Sequence, residues 1–97
     1  MVGRYLMVVH DDTTESEDGA AWGPYLERLS ADGRLAGGSS LAPAVAHRHT
    51  GEAAPDSGVV GYLLVEASDA ADAASLLAGN PTFEAGGTVH IHELIED

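Results

Sequence analysis

Five histidines stand in this chain of 97 residues, and they hold most of the chemistry that its residues offer. Two pairs are spaced H-x-H, His47 with His49 and His90 with His92. In a strand that spacing sets both imidazoles on one face, about 7 Å apart. With Asp11 or Asp12 such rings have the nitrogen-and-oxygen donor set of a zinc-type site. The spacing is common by itself, so no metal is assigned to it. His10 is followed by Asp11 and Asp12. Histidine titrates near neutrality, and a neighbouring carboxylate orients the ring and supports its charged form, which suits general acid–base work. Adjacent strand residues point to opposite faces, so His10 is expected to pair with Asp12 rather than Asp11. His10 and Asp12 are the expected catalytic pair. His47, His49, His90 and His92 are the expected ligand-binding residues, with Trp22 as a stacking surface and Tyr62 on the same pocket.

Other chemistries lack their residues. Cysteine is absent, which removes disulfides, thiolate metal sites and a cysteine nucleophile. Gly37-Gly38 and Gly86-Gly87 lack the G-x-G-x-x-G spacing, so no nucleotide or other organic cofactor is expected. Ser39 and Ser40 lie outside any nucleophile-elbow pattern. Sixteen acidic residues face four arginines, for a formal charge of −12. That charge repels phosphate backbones and anionic lipid, which argues against nucleic-acid and membrane partners. Met1 to Tyr5 carries no apolar stretch of signal-peptide length, and a cytoplasmic protein is the expectation.

Elements must position these groups. Gly58 to Glu66 is the longest apolar run, rich in β-branched and aromatic residues and bounded by Pro55-Asp56-Ser57, so it reads as a central strand. Before it come a strand at Tyr5–Val9, a helix and a weak strand at Leu35–Leu41. The helix carries Trp22, Tyr25, Leu26 and Leu29 at helical spacing, with Ser16 as its N-cap, a regular part from Ala20 and Gly33 as its stop. A short accessory hairpin is expected around Val45–His49, with its turn at Thr50-Gly51. After the central strand, Ser68-Asp69 opens a second helix with Ala70, Ala73, Ala74 and Leu77 on its inner face. Gly79-Asn80-Pro81 ends it, Phe83 packs at its exit, and Thr88–Leu94 alternates as a last strand.

The order βαββαβ with right-handed crossovers predicts one α+β domain: a ferredoxin-like antiparallel sheet with strand order fourth, first, third, second and both helices on one face. A domain of this size buries only about two-thirds of its unfolded surface. The central strand is apolar on both sides while helices cover one, so a second copy stacked sheet to sheet is expected. The first strand ends at His10, beside the start of the last strand and the connection bearing His47 and His49. The histidines are expected to converge there, around a pocket on the face away from the helices.

The C-terminal block, Gly61 to Ala67, the Asp69–Leu77 helix, Asn80-Pro81 and Glu84 to Ile91, resembles the YCII-related (DGPF-domain) family. Tyr5–Val9, Trp22, Leu26, Leu29 and Gly33 to Pro43 extend the likeness over most of the chain. The resemblance implies a ferredoxin-like protomer and a homodimer of the dimeric α+β barrel type, some of whose members act on small molecules through a His–Asp pair. The tetrapeptide Asp-Gly-Pro-Phe is reduced here to Pro55-Asp56-Ser57-Gly58, so the resemblance transfers fold and oligomer type and no catalytic residue. Two functions fit one pocket: an enzyme acting on a small organic molecule by histidine-assisted proton transfer, or a non-catalytic small-molecule binding or accessory module.

Overall fold

The computed structural model describes residues 2–95. Four strands form one antiparallel sheet in the order β2-β3-β1-β4, where β1 is Gly3–His10, β2 Leu35–Ser40, β3 Val59–Ala67 and β4 Val89–Glu93. Helices α1 (Trp22–Ala31), α2 (Ala70–Ser75) and α3 (Pro81–Glu84) complete a small α+β fold. Among the described residues no helix is long and apolar enough to cross a membrane.

β1 and β3 form the middle of the sheet because their alternation supplies one continuous apolar face. Tyr5, Met7, Leu63, Val65 and Ala67 pack there with Tyr25 and Leu29 of α1 and with Ala73 and Leu77. The opposite face carries Leu6, Val8, Tyr62 and Leu64, all half-buried, and Val60, which is 40% exposed. Leu6 pairs with Leu64 and Val8 with Tyr62, so this second apolar patch is contiguous across the two central strands. Both sides of β3 are apolar, and within the protomer only the helix side is covered.

Local chemistry sets the helix ends. The Asp18 side chain accepts from Ala20 N and caps a 3-10 turn at Gly19–Ala21, which runs on into α1. That corrects the expected Ser16 cap and the expected start at Ala20: Pro24 falls within the first turn of α1, where its missing N–H has no intrahelical partner to lose. Gly33, at φ +70°, closes α1 with Gly33 N donating to Ser30 O and Arg34 N to Leu29 O, a pairing that satisfies two terminal carbonyls. In α2 Asp69 accepts from Asp72 N as N-cap.

Three further expectations are corrected. Ala70 and Ala74 are exposed: α2 ends at Ser75 and buries only Ala73, and Leu77, past its end, joins the same core. Asn80 does more than stop α2: its side chain accepts from Phe83 N and, with Pro81 at the first position, starts the one-turn α3. That turn buries Thr82, at 1% exposure, and leaves Phe83 45% exposed. No strand forms between β2 and β3; the expected hairpin around Val45–His49 is irregular chain, and Val45 is 78% exposed.

Candidate functional site

His10 occupies the last position of β1, after a register shift that places Val9 opposite Gly61 and His10 opposite Val59. Its ring is 8% exposed, and both of its nitrogens are engaged. Nδ1 lies 3.1 Å from Ser57 O, and Nε2 lies 3.0 Å from His90 Nδ1. The two rings meet edge to face with centroids 4.6 Å apart.

These contacts set the proton positions. A carbonyl oxygen only accepts, so His10 Nδ1 carries hydrogen. Neutral His10 then presents a lone pair at Nε2, and His90 Nδ1–H donates to it. The His90 Nε2 lone pair is left for solvent or a ligand, and His90 is exposed. The backbone that presents Ser57 O is held in turn. Asp11 N donates to Gly58 O at 3.0 Å, and Gly58 sits at φ +76°, with the Asp11 carboxylate filling the space a side chain would need.

His92 extends the row along β4, its ring centroid 6.4 Å from that of His90. His90 is the strand partner of Val8 and His92 of Leu6, so both rings stand on the uncovered face beside its apolar patch. Tyr62 lies across the sheet on the other side of Val8.

Asp12 takes a different position from the expected one. Its Oδ1 accepts from Thr88 N at 2.7 Å and its Oδ2 from the Thr88 hydroxyl at 2.6 Å. Those two bonds hold its carboxyl below the usual aspartate range, with the nearby His10 a smaller contributor. Asp12 therefore anchors the start of β4, where His90 stands, and the His10 partner is His90 in its place. Because the folded state depresses this pKa, the stability it contributes is present above the ordinary aspartate value of about 3.9 and disappears as pH falls through the lower folded value. Asp12→Asn is expected to lower the thermal midpoint at pH 7 and to flatten its decline under acid. A decline parallel to that of the wild-type protein would remove Asp12 from this role.

His47 and His49 do not join the site. Both are exposed in the irregular chain between β2 and β3, and among the described residues no hydrogen bond links either to His10 or His90. Among the described residues no group of three or more His, Asp or Glu side chains could hold a metal ion.

A cleft also opens in an unexpected place. It measures about 600 Å³ and lies on the helix side, against Val9 and Leu63 and beneath Trp22 and Leu26. Gly38 and Gly61 at its base carry no side chains to fill it. Trp22, expected near a ligand, lines this cleft and not the histidine pair; Tyr62, which shares Val8 as a neighbour with His90 on the opposite face, also borders it. Sequence reasoning missed Glu17 and Thr82, which sit at its polar end. The usable signal was Asn80-Pro81, a cap followed by an N1 proline, which predicts a helical turn at Thr82.

Compared with protein-family models and with curated proteins, the chain matches none.

Proposed function

We propose that this chain is a ferredoxin-like protomer of a cytoplasmic homodimer of the dimeric α+β barrel type, as in the YCII-related family that its C-terminal block resembles. In that dimer the uncovered sheet faces enclose a small organic molecule, on which the histidines perform acid–base chemistry without an organic cofactor. The observation that carries the reading is the His10–His90 pair, with His10 fixed by Ser57 O and His90 Nε2 left open. When His90 Nε2 takes a proton, its Nδ1–H bond to His10 becomes charge-assisted and stronger. His90 is the proton-transfer group in this scheme, and His10, its ring buried and both nitrogens occupied, orients it. The apolar patch of Leu6, Val8, Tyr62 and Leu64 keeps water from the reacting atoms once a second copy covers it.

The test is solvent-deuterium incorporation into a panel of small carbonyl compounds and carboxylic acids, followed by proton NMR. The wild-type protein is expected to exchange at least one compound, and His90→Ala to slow that exchange by about 10²–10⁴-fold, the usual range for a positioned acid–base group. His10→Ala should also slow it, by less. Exchange that is indifferent to both substitutions would sink the reading. Binding of a compound without exchange would assign the face to ligand binding alone.

A further inference from the structure

We propose that the helix-side cleft is a separate binding site for a small organic cation, an amine with an aromatic or apolar body, whose ammonium rests on Glu17 and whose body lies against Trp22 and Leu26. The cleft, at about 600 Å³, is within the range of small-molecule sites. Its walls are mostly apolar, from Val9, Leu26, Leu35 and Leu63.

The carboxylate at its polar end is held in a defined position. Glu17 Oε2 accepts from Trp22 Nε1 at 2.8 Å, and Oε1 accepts from the Thr82 hydroxyl at 2.5 Å. Thr82 is almost fully buried and fixed by α3, so one of these anchors belongs to the rigid part of the molecule. Each carboxylate oxygen retains a free acceptor direction after these bonds. No arginine or histidine lines the cleft, and among the described residues no cation forms an ion pair with Glu17. A preset carboxylate with unused acceptors, beside an indole and above apolar walls, is complementary to an ammonium on an apolar body. The charge of −12 raises the local concentration of cations and repels anionic competitors. β1 ends with Val9 in this cleft and His10 against His90 on the opposite face, and no histidine lines the cleft.

Trp22 is the only tryptophan, so its fluorescence reports on this cleft alone. Three compounds with the same body separate the contributions: 2-phenylethylamine, 2-phenylethanol and phenylacetate, each titrated by Trp22 fluorescence and by calorimetry. The amine is expected to bind saturably and at least tenfold more tightly than the alcohol, with the acid weakest. Glu17→Gln should weaken the amine at least tenfold and leave the alcohol unchanged. His90→Ala should leave amine binding within twofold, which separates this site from the histidine pair. Equal binding of amine and alcohol, no saturable amine binding, or indifference to Glu17→Gln would overturn the proposal.

Discussion

Replacing Leu64 with aspartate is expected to weaken the proposed dimer by at least 100-fold while the protomer stays folded. Leu64 lies on β3, near the centre of the uncovered face, opposite Leu6 on β1 and Gly37 on β2. The molecule measures 45 × 39 × 19 Å. Nineteen ångströms accommodate one sheet and one layer of helices at about 10 Å each, and no third layer. The patch of Leu6, Val8, Tyr62, Leu64 and Val60 therefore awaits a covering from outside the protomer. In the proposed dimer a second copy supplies it without any further component and doubles the number of histidine pairs around the enclosed space. A carboxylate at the middle of such an interface must be desolvated without a partner, which costs at least several kcal/mol. About 2.7 kcal/mol already corresponds to a 100-fold change in affinity. In the separated protomer the same carboxylate faces water and costs little. Sedimentation across a dilution series should show a wild-type dimer and a Leu64→Asp monomer, with far-UV circular dichroism unchanged between them. A wild-type protein that sediments as a monomer at every concentration ends the proposal, as does an unaffected variant.

Leu29→Ala should be the most damaging substitution on the helix side. Leu29 is 1% exposed and belongs to the cluster of Tyr5, Met7 and Val65 that joins α1 to the sheet. Truncating a leucine this deeply buried costs about 3–4 kcal/mol, from lost transfer energy and the residual cavity. A domain of this length holds about 5–15 kcal/mol in total, so the loss is a large share of its stability. With about 4–8 °C lost per kcal/mol at this size, the thermal midpoint should fall by roughly 12–32 °C. Glu27→Ala, exposed on the outer side of the same helix, is the control and should change the midpoint little. Both are read by thermal unfolding at pH 7. Equal effects of the two substitutions would mean that α1 is not packed as described.

Much of this architecture follows from pattern alone. The apolar runs at Tyr5–Val9 and Val59–Val65, the alternation of the last strand and the spacing of Tyr25 and Leu29 were enough to place three of the strands and α1, with Leu35–Leu41 as a weaker fourth strand, because burial of an apolar stripe is a local property of a strand or helix. The place of β3 inside the sheet agreed with the continuous apolar run in Val59–Val65. Gly33 stopped α1 where a residue of positive φ was needed. The position of His10 at the end of the first strand was also legible, though the partner expected for it, Asp12, is not the one it meets.

Which partner it found was settled only by three-dimensional register. Asp12 is two residues away in sequence, yet it was claimed by the N–H and hydroxyl of Thr88, which are 76 positions further on. That left the His10 ring to Ser57 O and His90. Hydrogen-bond competition of this kind depends on distances of a few tenths of an ångström between chain segments, and no local spacing encodes it. The cleft has the same origin. It opens between the start of α1 and the strands β2 and β3, where Gly37, Gly38 and Gly61 carry no side chains. The Glu17 clamp is set by a turn at Asn80-Pro81, far along the chain. Sequence determined which faces had to be buried, since hydrophobicity is written residue by residue; the tertiary structure decided which polar groups met and where space remained, since both depend on how separate segments come to rest against one another.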